Sequence, residues 1–124
     1  MTIKQRYRTI IFFKNYFEGF FLKQSGKVKK KILWTFDLIE ELPRVPEVYL
    51  KHIENAGDLY EIRVQFGTDI FRIFCFFDEG KVVVIANGFQ KKSQKTPNQE
   101  IEKALKIKKE YEREKKWSGN SWTV

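Results

Sequence analysis

From Leu59 onward the apolar residues of this chain recur at alternate positions, in three runs separated by only a few turn residues. This pattern constrains the fold more than any other feature. Leu59–Phe66, Ile70–Phe77 and Val82–Phe89 read as strands, with Gly67-Thr68 and Asp78-Glu79-Gly80 as the turns between them. Connections this short make neighbouring strands antiparallel, so the three form a meander. Upstream, Tyr7 to Phe12 is short, β-branched and aromatic, and reads as an opening strand. Phe13, Tyr16, Phe17, Phe20 and Phe21 then fall on one stripe of a helix, which Ser25-Gly26 breaks. A second helix, from about Lys27 to Leu42, turns Val28, Ile32, Phe36 and Ile39 inward and ends before Pro43. The joint apolar face of these two helices needs a sheet to cover it. Arg44 to Asp58 reads as a loop with a turn of structure around Tyr49 to Ile53.

Thr96-Pro97-Asn98-Gln99 has the form of a capping box with proline at the first helical position. It opens a charged helix to about Lys116, docked through Ile101, Ala104, Leu105 and Tyr111. The tail 117–124 reads as flexible. The expected class is α+β: an N-terminal helical hairpin on a small, mainly antiparallel sheet, in the order β-α-α-β-β-β, with a C-terminal helix. At 124 residues this is one domain, 1–124, and a chain with twelve Phe has the material for a core.

Charge points to the partners. The net charge of +8 attracts and steers polyanions, and nucleic acid is the first candidate. It is unevenly spread: residues 1 to 31 hold nine Lys or Arg against Glu18 alone, and Asn87 to Pro97 holds Lys91, Lys92 and Lys95 with no acid. The single cysteine, Cys75, lies in an apolar run and fits a buried side chain in a reducing cytosol. No membrane-length apolar stretch and no signal-type leader are read, so the expectation is a cytoplasmic protein without membrane contact.

Strand geometry brings the candidate site together. If Gly67-Thr68 is a two-residue hairpin loop, Phe66 pairs with Asp69 and Arg63 stands directly opposite Arg72; a four-residue loop gives the same pairing, a three-residue loop does not. Two arginines so placed repel unless an anion or an acid sits between them. Two readings follow: a phosphate site, or ion pairs with acids such as Glu61 or Asp69. A tight Glu79-Gly80 turn would set Asn87 next to Arg72 and extend the polar row, and Phe89-Gln90-Lys91-Lys92 would reach the rim of the same face. His52 is the sole histidine, which excludes a two-histidine ribonuclease mechanism. No Cys/His cluster or Asp-x-Asp set suggests a metal site, and Gly80 and Gly88 form no phosphate-cradling loop, so no cofactor is expected.

Leu59-Tyr60-Glu61-Ile62-Arg63, Phe71-Arg72-Ile73-Phe74 and Gly88-Phe89-Gln90-Lys91-Lys92-Ser93-Gln94-Lys95-Thr96-Pro97 together resemble the RelE/ParE toxin superfamily. Lys29 to Trp34 and Val45-Pro46 to His52 resemble its phage-related HigB branch, so the likeness covers about residues 8 to 112. It implies a RelE-like fold and a metal-free endoribonuclease that cuts mRNA at the ribosome. The partner implied is an antitoxin, often a helix-turn-helix protein. It also implies that Arg63, Arg72 and Lys91 or Lys92 bind and activate the scissile phosphate. With the basic surface and the strand geometry this makes Arg63, Arg72, Lys91 and Lys92 the catalytic candidates, Lys29, Lys30, Asn87, Gln90 and Lys95 the RNA-binding candidates and His52 a further candidate. The alternatives are a ParE-like gyrase inhibitor and a non-catalytic module that binds antitoxin or RNA.

Overall fold

The computed structural model describes residues 6–122, and beyond Lys116 only the backbone path. Its elements are β1 (Thr9–Phe12), α1 (Glu18–Leu22), α2 (Gly26–Glu41), β2 (Leu50–His52), β3 (Leu59–Phe66), β4 (Asp69–Asp78), β5 (Val82–Lys91) and α3 (Asn98–Trp122). The five strands form one sheet in the order β1-β5-β4-β3-β2. β1 runs parallel to β5 and the other pairings are antiparallel.

The meander forms where the alternation placed it. Gly67 takes a φ of 61°, which lets Gly67-Thr68 close a two-residue hairpin with Phe66 opposite Asp69. β4 is buried along Phe71–Phe76 because both of its faces are covered. Toward α1 and α2 point Phe71, Ile73 and Cys75, packed with Phe17, Val28, Ile32, Phe36 and Ile39. Toward α3 point Phe74 and Phe76, packed with Leu59, Val84, Ala86, Phe89, Ala104 and Ile107. α2 begins at Ser25, whose hydroxyl accepts from the Val28 N–H at 3.2 Å, and ends at Leu42, which is extended ahead of Pro43.

Four expectations change. The aromatic run after β1 is not one helical stripe. Lys14 adopts a φ of 54°, so α1 starts only at Glu18, and the rings divide between the two cores: Phe13 and Tyr16 toward α3, Phe17, Phe20 and Phe21 toward α2. The Tyr49 region contains a true strand, β2, paired with β3 through Leu50↔Ile62, Lys51↔Glu61 and His52↔Tyr60. α3 continues past Lys116, where its end was expected, to Trp122. Residues 123–124 of the expected flexible tail lie outside the described residues. Finally, the second turn is longer than assumed. Asp78 pairs with Val82, so Glu79, Gly80 and Lys81 form a three-residue loop, and a bulge between Ile73 and Cys75 shifts the register once more. The result is a mixed α+β chain with a five-stranded sheet and a C-terminal helix. Among the described residues no helix is long and apolar enough to cross a membrane.

A cationic cleft at the open edge of β3

Arg63 and Arg72 are cross-strand partners on the face that α3 also uses, but α3 lies over the other end of that face. Between them stands Glu61. Its Oε1 is 3.2 Å from Arg63 Nε and 3.6 Å from Arg72 Nε, and the residue is buried at 8% exposure. One carboxylate therefore faces two guanidinium groups. The remaining contacts are few: Arg63 Nη1 reaches the Glu47 carbonyl at 3.5 Å and Arg72 Nη1 the Phe71 carbonyl at 3.3 Å. Both Nε atoms are buried without a hydrogen-bond partner among the described residues, so the ion-pair distances are not matched by hydrogen-bond geometry. Burial holds the Arg72 pKa below its ordinary value and Arg63 adds to that, while Glu61 opposes it. A guanidinium remains charged regardless. This is a site where positive charge is concentrated beyond what the protein itself neutralises.

β2 and β3 separate just past the pair. The last bridge is Leu50↔Ile62, followed by the Arg63 N–H donating to the Tyr49 carbonyl at 2.8 Å. The chain before β2 peels away from the second half of β3 and leaves a cleft of about 270 Å³, lined by Lys31, Thr35, Val48, Tyr49, Arg63, Val64, Gln65 and Arg72. Three of these residues are cations and none is an acid. Lys31 arrives from α2, where it adjoins the inward stripe of Val28, Ile32 and Thr35. The next row of the sheet, Gln65, Ile70 and Lys91, lies on the same face, so Lys91 sits half-buried one row from Arg72. Lys91 and Lys92 line a second hollow with Ile70, Ser93 and Gln94.

Other expected site residues are placed elsewhere. Asn87 does not neighbour Arg72, which pairs with Phe89. The third loop residue and the bulge each move β5 by one position, so Asn87 stays on the same face but lies farther along it. There it is buried and its Nδ2 donates to the Glu100 carbonyl at 3.2 Å and to Glu100 Oε1 at 3.0 Å, tying β5 to α3. Gln90 pairs with Phe71 and so belongs to the opposite face, where its Nε2 reaches Asp69 at 3.4 Å. Lys29 stands 5.8 Å over the Phe21 ring, away from the cleft, and Lys30 is exposed. Lys95 is exposed in the loop before α3, where Ser93 Oγ donates to its carbonyl. His52 is stacked edge-on against Tyr60 and lines a groove with Glu47, Glu54 and Glu61, whose acids disfavour a phosphate.

Lys31 and Tyr49 line the cleft without having figured among the expected site residues, whereas Glu61 is where the ion-pair reading of the two arginines put it. For Lys31 the signal was present, since the helical stripe brings position 31, rather than 29 or 30, beside Thr35. Tyr49 depends on β2, which has no periodicity of its own. Among the described residues no three His, Cys, Asp or Glu side chains cluster as a metal site.

No curated protein matches the chain. A family model, Phage derived protein Gp49-like (DUF891), matches residues 19–109, from α1 into α3, and so spans the sheet strands of the cleft and the α2 lysine that completes it. The chain belongs to this Gp49-like, phage-derived family, a toxin family of the RelE/ParE kind.

Proposed function

We propose that the chain is the toxin of a type II toxin–antitoxin pair, a HigB-like endoribonuclease with a RelE-like fold that cuts mRNA at the ribosome in the cytoplasm. The observation that carries this reading is the Arg63/Arg72 pair, sharing one carboxylate and opening into an acid-free cleft with Lys31. In the reaction, the RNA 2′-hydroxyl attacks the adjacent phosphorus and the 5′-oxygen of the next nucleotide leaves, giving a 2′,3′-cyclic phosphate and a 5′-hydroxyl end. Arg63 and Arg72 stabilise the charge that develops on the non-bridging oxygens, where fixed donors act most strongly. This chemistry draws on the chain's own cations and needs no metal. Glu61, which faces both arginines, and Lys91, one row along the same sheet face, are titratable groups available for the proton transfers. The partner is an antitoxin, of helix-turn-helix type in the HigB-like reading, and an acidic segment of it over Arg63 and Arg72 would silence the site.

The test compares thermal unfolding with ribosome-programmed mRNA cleavage for the wild type, Arg72→Ala, Arg63→Ala and Lys91→Ala. Arg72→Ala is expected to lower cleavage about 100- to 1000-fold, as the loss of one such donor does elsewhere. It should leave the fold intact, because Glu61 keeps Arg63 at 3.2 Å. Full cleavage by a folded Arg72→Ala variant overturns the proposal. In cells, protein synthesis should stop before DNA replication. The reverse order points to the ParE-like gyrase reading, and antitoxin binding without either effect to a non-catalytic module.

A further inference from the structure

We propose that Trp34 and Tyr49 form an aromatic wall that takes a nucleobase beside the cationic cleft, so that the site binds a nucleotide with its phosphate on Arg63 and Arg72 and its base against these rings. This rests on the ribonuclease reading and adds a second recognition element to it. Trp34 projects from α2 with 45% of its surface exposed, so part of its ring is open to a ligand at the mouth of the cleft. Its ring centroid is 5.9 Å from that of Tyr49, at 76° between planes. Lys31 Nζ stands 4.4 Å from the centre of the Trp34 ring.

Both neighbours of Trp34 line the cleft that contains the two arginines. The aromatic pair is therefore the rim of that cleft and not a separate patch. Val48, 63% exposed, continues the apolar rim. At about 270 Å³ the cleft is at the small end of ligand pockets, which run from roughly 300 to 1,000 Å³. It has room for the phosphate and part of the ribose, and the base is left to lie on the rim. In the free protein Lys31 covers the ring. An exposed cation–π contact is weaker than base–aromatic stacking, and the lysine stem is flexible, so a base displaces the ammonium toward the incoming phosphate. Cations and rings interleaved on one cleft are the combination by which proteins hold single-stranded RNA.

The probe is a fluorescently labelled tetraribonucleotide with 2′-O-methyl groups throughout, which blocks cleavage, and a second version carrying one abasic position. Binding of each is followed by anisotropy over a range of salt. Trp34→Ala is expected to weaken binding of the full oligonucleotide about tenfold, within the range for loss of one stacked base. Its salt dependence should keep the wild-type slope, because no phosphate contact is removed. Trp34→Phe should retain most of the affinity. The abasic probe, with its gap at the stacked position, should bind wild type and Trp34→Ala alike. Arg63→Ala should instead flatten the salt slope. Equal binding of the full oligonucleotide by wild type and Trp34→Ala, with the Arg63 effect intact, overturns the aromatic wall and leaves the phosphate site standing. No binding by the wild type at low salt overturns both.

Discussion

At one end of the sheet face beneath α3, Asp78 is met by the Tyr111 hydroxyl at 2.5 Å and by Lys115, which also reaches Glu79 at 3.2 Å. Nearby, Glu110 accepts from Tyr16 at 2.7 Å and pairs with Lys14 at 3.2 Å. At the other end, Arg63 and Arg72 share the carboxylate of Glu61 and neither Nε is satisfied. Both ends put an ionisable residue of β4, Asp78 at one and Arg72 at the other, on the same face of the sheet. The Asp78 end balances each acid with a lysine or a hydroxyl and seals it under Tyr111, which packs edge-on against Phe13 and Phe76. The arginine end leaves its surplus facing a cleft. Charge that holds the helix in place comes with its partners, and the shortfall at the arginine end is what the proposed phosphate site would use.

Removing Glu61 should break this contrast with the largest effect. Glu61→Gln leaves the buried Arg72 guanidinium opposed to the half-buried Arg63 with no carboxylate between them, and should destabilise the protein by up to about 3 kcal/mol, the low end of the scale for breaking a buried pair. Inorganic phosphate should then raise the melting temperature of the variant more than that of the wild type, because the anion takes the place of the carboxylate. An equal rise in both proteins would mean that the pair does not select an anion.

At the opposite end the effect should be smaller. Tyr111→Phe loses one hydrogen bond to Asp78, at about 1 kcal/mol. Burial and Asp78 push the Tyr111 hydroxyl up to about 12. A raised folded pKa means stabilisation that is complete below the unfolded value, near 10, and lost as pH rises toward about 12. The Phe variant should lose that alkaline arm. Burial pushes Asp78 up, but hydrogen bonds from Lys115 and Tyr111 outweigh it and hold the carboxyl below its usual range. Its stabilisation is therefore present above the unfolded value of about 4 and lost as pH falls below it. Urea melts between pH 2 and 12 read both arms, and an unchanged alkaline limb in Tyr111→Phe would remove Tyr111 as its source.

The smallest expected effect separates neighbouring lysines. Lys31→Ala should reduce the slope of log affinity against log salt for the uncleavable tetraribonucleotide by about one, as expected for one lost phosphate contact. Lys30→Ala, from a residue outside the cleft, should leave that slope close to the wild-type value. Equal slopes for the two variants would show that the α2 lysines act only as a diffuse field.

The Arg63↔Arg72 pairing was legible because a two-residue turn sets the register of the strands it joins, and that count involves only local residues. The same count failed for Asn87, since the second turn holds one more residue and a bulge adds another shift. β2 has no sequence signature beyond a turn because three residues at a sheet edge leave no period to detect; the strand exists because β3 offers a free edge. Gly88 gave no local sign of its role. It permits the close approach of Phe20, whose Cδ2 would lie 2.6 Å from a Cβ at that position.

Periodicity, turn chemistry and capping act over a few residues, so the sequence by itself determined most elements, the meander and the like-charged pair at its centre. Tertiary structure decided which faces those elements share. It brought β1 alongside β5, divided the Phe13–Phe21 rings between two cores and brought Lys31 and Tyr49 to their cleft. Those placements follow from contacts among segments far apart in the chain, where the burial of both sheet faces outweighs local preference.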